Sequence, residues 1–186
     1  IFAIITSGNS KQNQSVVNSG AVVPFIQLVD SPKIDIAEQV LDCISAYLTV
    51  TFQALICVGN IACEDAFNRK VVYENGGLAA ILLFLRREDL KAEQLNSGVW
   101  AFSNMCRSRT LISLNILKSC VACIKQLLKK EDAEILRSAC AAAAYLTDGP
   151  NDRIQMFLDG GVCRPIINLI SKTHSEVLSV QSDVFA

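Results

Sequence analysis

Apolar residues recur along the chain in short runs, each led by a small residue. The runs are GAVVPFIQLV, GLAAILLFLR, CVACIKQLLK and GVCRPIINLI, which start at Gly20, Gly77, Cys120 and Gly161. The intervals between these starts are 57, 43 and 41 positions. Each run is bounded by polar or glycine-containing segments, and we expect each to form a buried helix.

A second set of segments follows these runs and repeats with the same period. ALICVGNIAC, GVWAFSNMCR and CAAAAYLTDG align, with FAIITSG as a leading remnant, when Ile4, Asn60, Asn104 and Tyr145 are equivalent. The intervals are then 56, 44 and 41 positions. Two independent anchors therefore give a period near 42, with one interval longer by about 14. This period is typical of helical solenoids of the armadillo and HEAT kind.

Each unit is predicted to contain three helices. The first is short and polar, as in SKQNQSVVNSG, and ends at a glycine such as Gly20. The second is the buried apolar run, and the third carries the tryptophan or its counterpart and ends at a small-residue turn. The predicted fold class is all-α, a right-handed superhelical solenoid. Its predicted units are a partial unit at 1–8, full units at 9–64, 65–107 and 108–148, and a partial unit at 149–186.

The long interval is attributed to an insertion at about residues 40–53, VLDCISAYLTVTFQ. Without these 14 residues, DIAEQ joins ALICVGNIACED and gives an ordinary third helix. The segment AYLTVTF is rich in β-branched and aromatic residues, unlike its surroundings. Valine codons begin with GT and a glutamine codon can end in AG, the usual borders of an intron. Two interpretations therefore stay open: an unspliced in-frame intron, or a genuine insertion that extends the third helix or loops out at its N-terminal end.

Composition and charge narrow the classes of function. The chain is 51% hydrophobic but only 6% aromatic, which suits closely packed helices. With 17 basic and 18 acidic residues, its formal charge of -1 gives no field that attracts nucleic acid or an anionic membrane. No apolar run reaches the roughly 18 residues of a membrane span. The N-terminus has no signal-peptide pattern, and we expect the chain to begin in the middle of an element.

Catalytic and metal-binding signals are weak. The eight cysteines include one CxxC pair, Cys120 and Cys123, with no second pair or nearby histidine to complete a zinc site. We interpret the cysteines as reduced core residues. His174 is expected in an exposed loop, and Lys129 and Lys130 before Glu131 and Asp132 are typical of a solvated helix end. We expect no enzyme activity, no cofactor and no metal.

Four longer motifs identify a family. The chain resembles importin-alpha, the armadillo-repeat adaptor of nuclear import, in SGNSKQNQSVVNSGAVVPFIQLVDSP, GNIACEDAFNRKVVYENGGL, WAFSNMCR and YLTDGPNDRIQMFLDGGVC. The likeness covers nearly all of the chain except residues 40–53 and a diverged stretch at 108–121. In the register of the family, the chain runs from the end of the second repeat into the sixth.

The resemblance implies a set of residues that bind a nuclear localisation signal. Trp100 and Asn104 match an intact tryptophan–asparagine pair, and Asn60 matches the asparagine of the preceding repeat. The other implied positions are an acidic residue facing the key lysine (Glu64), the turn that lines the main pocket (Ser7 and Gly8), a glutamine (Gln53, or Gln39 if the insertion is spurious), a tyrosine (Tyr145), an acidic position (Glu134) and a supporting arginine (Arg107).

Departures from the family pattern weaken this expectation. Ile56 and Ala141 stand where the resemblance implies tryptophans, and Ile4 replaces an asparagine. Because each lost aromatic surface costs about 1 kcal/mol of cation–π interaction, the affinity for a classical signal is expected to fall about tenfold per position.

The resemblance also implies a mechanism and partners. Residues four apart share one face of a helix, so Trp100 and Asn104 are expected to project together into a concave groove. There the amides would hold an extended peptide, and the indole and carboxylates would select lysine or arginine. The expected partners are basic segments of cargo proteins and importin-beta, the latter through a segment that these residues lack, with shuttling between cytoplasm and nucleus. The alternative is a divergent armadillo scaffold that binds another extended peptide.

Overall fold

The computed structural model describes residues 6–29, 41–107 and 112–171. All regular secondary structure in these ranges is helical. The bounds are α1 (Ser10–Asn18), α2 (Val22–Val29), α3 (Leu41–Glu64), α4 (Ala66–Glu74), α5 (Gly77–Phe84), α6 (Ala92–Cys106), α7 (Leu114–Leu127), α8 (Ala133–Thr147) and α9 (Asn151–Asp159). Residues 163–171 are also helical. Within the described ranges, no helix is long and apolar enough to cross a bilayer.

Left-handed glycines separate the first and second helices of most units. Gly20, Gly76 and Gly161 have φ of 77°, 83° and 68°, a conformation that glycine adopts without a steric penalty. In the unit at 108–148, Ser119 and Cys120 occupy the position of this glycine turn, and α7 continues through both residues without a break. The prediction of three helices per unit is therefore wrong for the described part of this unit, because no glycine is present to turn the chain.

The helices form two packed layers. Third helices lie side by side, α3 against α6 and α6 against α8, while α2, α5 and α7 stack as a second layer behind them. The core lies between the layers, and its completely buried large side chains include Leu55, Ile61, Ile81, Phe102, Met105, Ile124 and Leu146. Burial of each such side chain stabilises the fold by about 1.5–3 kcal/mol, so the register of the third helices is strongly specified.

The insertion continues the third helix. α3 has 24 residues, against 15 in α6 and 15 in α8, and residues 41–53 are helical throughout. The interpretation of residues 41–53 as a loop is therefore wrong. These residues extend the third helix at its N-terminal end. The β-branched residues do not prevent this because helix propensity is a weak preference that tertiary packing overrides: within the insertion, Thr51 is buried and Phe52 packs partly against the core. The intron hypothesis stays a prediction.

Buried polar side chains of the first helices tie neighbouring segments together. Asn13, Arg69 and Arg153 occupy one register, at intervals of 56 and 84 positions. Asn13 Nδ2 donates to Glu64 Oε2 at 3.0 Å, and Arg69 Nη1 donates to the Ala62 carbonyl at 3.0 Å. Arg153 Nη2 donates to the Ile112 carbonyl at 2.7 Å. The bond of Asn13 joins the first and third helices of one unit, whereas the bonds of Arg69 and Arg153 cross to the preceding unit and help to set how consecutive units pack.

The seven cysteines whose side chains the structure describes are free thiols, but they are not all core residues. Cys57, Cys106 and Cys120 are buried, whereas Cys63 is exposed and Cys123, Cys140 and Cys163 are partly exposed. The core interpretation is therefore wrong for Cys63, which lies at the end of α3 on its solvent side. Burial and a hydrogen bond with Cys120 raise the pKa of Cys106, and burial raises that of Cys123 to about 12, so both thiols stay protonated at neutral pH.

Arg153→Met should lower the free energy of unfolding by about 2 kcal/mol, because the Ile112 carbonyl loses a charged donor in a buried place. Urea denaturation followed by circular dichroism measures the change. Arg164→Met, at an exposed position of the 163–171 helix, is the matched control and should change stability by less than about 0.5 kcal/mol. Equal effects of the two substitutions would contradict the role assigned to Arg153.

Candidate peptide-binding site

The third helices present matched positions on one face. Residues spaced by three and then four positions lie along one stripe of a helix, and the same stripe recurs on α3, α6 and α8. The matched sets are Gln53, Ser97 and Ser138, then Ile56, Trp100 and Ala141, then Asn60, Asn104 and Tyr145. Because α6 packs between α3 and α8, Trp100 and Asn104 occupy the middle of this face. We call these nine residues the third-helix face.

Trp100 lies at the surface of the third-helix face, partly buried, with its ring against Gly59 of α3. A Cβ on Gly59 would collide with Cζ3 of the indole and would lie 3.0 Å from Cε3. The glycine therefore lets the indole approach the α3 backbone. One part of the ring contributes to packing between units, and the rest of its surface is available to a ligand.

The two asparagines are both engaged with the preceding segment. Asn104 Nδ2 donates to the Gly59 carbonyl at 3.4 Å, and Asn60 Nδ2 donates to Thr6 Oγ1 at 3.2 Å. Asn60 is partly exposed, but Asn104 is only 7% exposed. Each amide nitrogen carries a second hydrogen, and each amide oxygen accepts, so further bonds to a ligand remain chemically open. A ligand therefore has less access to Asn104 than to Asn60.

The remaining sequence-predicted polar positions differ in exposure. Gln53, Ser7 and Gly8 are exposed, the last two in the turn before α1. Tyr145 is partly exposed beside Asn104 on the third-helix face. Gln39 and Ile4 lie outside the described residues.

The acidic positions have partners within the protein. Glu64 is partly buried and accepts from Asn13, as described above. Glu134 forms an ion pair with Arg137 at 2.5 Å on the exposed first turn of α8. Glu93 is not among the sequence-predicted residues, although it lies 41 positions before Glu134, on the exposed first turn of α6. The period of the repeat was the signal that could have found it.

Two arginines bind the carbonyl groups at the end of α3. Arg107 Nη1 donates to the Cys63 carbonyl at 3.2 Å, next to the bond from Arg69 to Ala62. Burial and the charge of Arg107 lower the pKa of Arg69, whose side chain is not among the sequence-predicted site residues. Arg107 thus supports the third-helix face from its edge. Arg69 could be found only from the repeat register, since its partner belongs to the preceding unit.

The third-helix face has one full aromatic wall. Ile56 and Ala141, the positions beside Trp100, are partly exposed but offer only aliphatic surface. No group of His, Cys, Asp or Glu side chains in the described ranges could hold a metal ion. The face can therefore pack one aliphatic or cationic side chain on an indole, flanked by amides and by carboxylates on adjacent helices.

Comparisons with known proteins agree on an armadillo repeat. No protein-family model matches the chain. Importin subunit alpha-1b of Oryza sativa subsp. japonica is 33% identical over 174 residues, covering 94% of this chain and 30% of that protein. Importin subunit alpha-2 of Arabidopsis thaliana is 31% identical over 166 residues, covering 89% and 28%. The chain thus spans about a third of the length of these relatives.

Solved structures give the same fold. A designed armadillo repeat protein in complex with peptide (KR)4 has a TM-score of 0.71 at 23% identity, covering 91% of this chain and 65% of that one. A second designed armadillo repeat protein has a TM-score of 0.73 at 24% identity, with the same coverages. The predicted all-α armadillo solenoid is confirmed.

Gly59→Ala should move Trp100. A helical glycine replaced by alanine ordinarily gains stability, but here the added methyl group meets the indole, so we expect a loss of about 1–3 kcal/mol and a red shift of the emission. Trp100 is the only tryptophan, so its fluorescence reports the change directly. Ala144→Gly, an exposed control in α8, should lower stability by about 1 kcal/mol and leave the emission maximum in place.

Proposed function

We propose, on the premise that this chain is an armadillo-repeat relative of the importin-alpha subunits, that it binds basic nuclear localisation signals on its third-helix face. The observation that carries the proposal is the position of Trp100, partly exposed in the middle of that face and held by Gly59. A designed protein of the same fold bound to peptide (KR)4 supports the choice of a basic ligand.

The binding chemistry follows from the side chains of the face. The exposed part of the indole accepts the aliphatic stem of a lysine or arginine and gives its charged end a cation–π contact of about 0.5–2 kcal/mol. Asn60 and Asn104 have amide groups that bond the main chain of an extended peptide without reading its sequence. Gln53 and Tyr145 extend the polar surface of the third-helix face, and we assign Ser7 and Gly8, in the turn before α1, to the same binding site.

Carboxylates supply the preference for basic side chains. Glu64, Glu93 and Glu134 lie at the ends of the third helices, and an ionised partner shortens and strengthens their hydrogen bonds. Before Glu134 can pair with the ligand, its ion pair with Arg137 has to break. This costs little free energy because the ion pair is solvent-exposed. Arg107 stays on the α3 carbonyls and positions the face rather than contacting cargo.

The affinity is expected to be lower than that of a site with three aromatic walls. Ile56 and Ala141 provide no cation–π surface, and access to Asn104 is narrow because its side chain is only 7% exposed. A lysine-rich peptide is therefore bound mainly at Trp100 and its immediate neighbours.

The wider adaptor role is part of the same proposal. The chain carries cargo between cytoplasm and nucleus, and importin-beta is bound by residues outside this segment. The cargo is the class of proteins with exposed lysine- or arginine-rich segments. We assign no catalytic step to the chain.

A second candidate function is favoured by one observation. The aliphatic residues Ile56 and Ala141 beside Trp100 suit an extended peptide with apolar rather than basic side chains. In that case the chain is an armadillo scaffold that has lost classical signal binding. Binding of a lysine-rich peptide separates the two functions, because only the first requires it.

Trp100→Ala should weaken binding of a fluorescein-labelled lysine-rich peptide by about fivefold to tenfold, since the cation–π surface is lost. Fluorescence anisotropy measures the affinity, which should also fall as salt is added. Phe67→Ala is the matched control, because Phe67 is 60% exposed on the first helix α4 and outside the third-helix face. Absence of binding to the unaltered chain at low salt would favour the scaffold function.

Ala141→Trp should improve binding of the same peptide by about fivefold, because it adds an aromatic surface next to Trp100 at a partly exposed position. Ala144→Trp, on the exposed side of α8, serves as the control and should leave the affinity unchanged. If both substitutions change the affinity equally, the peptide does not lie on the third-helix face.

A further inference from the structure

A second concave site lies between consecutive units, away from the third-helix face. It is a cleft of about 740 Å3 between the C-terminal ends of α5 and α7, and it includes none of the nine residues of that face. We call it the second-helix cleft. Its volume falls within the range of about 300–1,000 Å3 that is usual for ligand-binding sites.

The lining of the second-helix cleft combines an apolar floor with a basic rim. Its floor consists of five leucines: Leu82, Leu85, Leu90, Leu95 and Leu127. The rim carries four cationic side chains, Arg86, Arg87, Lys129 and Lys130, and one carboxylate, Glu88. The charge of the lining is therefore strongly positive, although the chain as a whole has a formal charge of -1.

Contacts within the protein neutralise only part of this charge. Arg87 forms an ion pair with Asp89 at 3.3 Å and lies over the ring of Phe84, 5.8 Å from its centroid. Lys129 Nζ donates to the neutral Gln126 amide at 2.9 Å. In the described part of the chain, Arg86 and Lys130 make no ion pair.

The nearby acidic residues do not complete the neutralisation. Asp132 follows the lysines, but its carboxylate caps α8 by accepting from the backbone N–H groups of Glu134 and Ile135. These bonds lower the pKa of Asp132, so the carboxylate stays ionised while it caps α8. Neither Asp132 nor Glu131 lines the second-helix cleft.

Stabilisation of helix ends accounts for the basic residues only in part. Cations near a helix C-terminus interact favourably with its dipole, and α5 and α7 both end here. However, the backbone N–H groups of Arg86, Arg87, Lys129 and Lys130 already bond the last carbonyl groups of these helices. The dipole also gives no reason for a leucine-lined space between the two helix ends.

We propose that the second-helix cleft binds a short peptide segment that carries both acidic and leucine-like side chains. The leucine floor buries the apolar side chains of the peptide. The basic rim pairs with the carboxylates of the peptide, most directly through Arg86 and Lys130. A nucleic acid fits this site poorly, because no aromatic side chain lines it for base stacking. The chain would thus bind peptides of opposite charge at two separate sites.

The test is a titration of the full chain with a short fluorescein-labelled peptide that alternates glutamate with leucine. Saturable binding that weakens with added salt is expected. Lys129→Gln combined with Lys130→Gln should reduce the affinity about fivefold, and Leu90→Ser should reduce it similarly by removing part of the floor. Lys70→Gln, at an exposed position on α4, is the control and should have no effect.

Three results would overturn the proposal: no saturable binding, equal binding of a peptide that alternates glutamate with serine, or stronger binding of single-stranded DNA to the same lysines. Arg86→Gln provides an independent variant if the double substitution perturbs folding. The lysine-rich peptide provides the comparison with the proposed function, because its affinity should be unchanged by Lys129→Gln and Lys130→Gln. Loss of binding at one site with retention at the other identifies which proposal fails.

Discussion

The contact between Trp100 and Gly59 is the constraint on which the candidate site depends. Gly59 has no side chain, so the indole lies against the α3 backbone, and the Gly59 carbonyl accepts from Asn104. Gly59 of α3 thus contacts both Trp100 and Asn104 of α6. The pair therefore has two roles, since it joins consecutive third helices and presents the surface that we assign to the ligand. Stability and recognition are coupled here, and a larger side chain at residue 59 would disturb both.

The near-zero formal charge of the chain conceals two surfaces of opposite character. Carboxylates of Glu93 and Glu134 lie on the exposed first turns of α6 and α8, whereas arginine and lysine side chains surround the ends of α5 and α7. Global charge therefore says little about which ligands the chain attracts, because exposed charges separated by more than about 8 Å are largely screened from one another in physiological salt. Each site has to be judged from its own side chains. On that basis the third-helix face suits basic peptides, and the second-helix cleft suits acidic ones.

Repetition made the fold and part of the site predictable from sequence. The period near 42 gave the units, and helical spacing put Trp100 and Asn104 on one face because both are local properties of the chain. The features that the sequence did not predict depend on single residues or on contacts between residues far apart in the chain. Ser119 in place of a glycine lets α7 run on, and the β-branched insertion is helical because packing overrides propensity. The near-complete burial of Asn104 and the bond from Arg69 to Ala62 involve the preceding unit, which no local pattern records.

The proposed function requires that a basic peptide contacts the indole that Gly59 holds at the surface. Because Trp100 is the only tryptophan, its own emission during a titration with an unlabelled lysine-rich peptide tests this claim most directly. We expect a saturable change in intensity or wavelength, with the same dissociation constant as the labelled peptide and a loss of the change at high salt. Peptide binding that leaves the emission of Trp100 unaltered would contradict it.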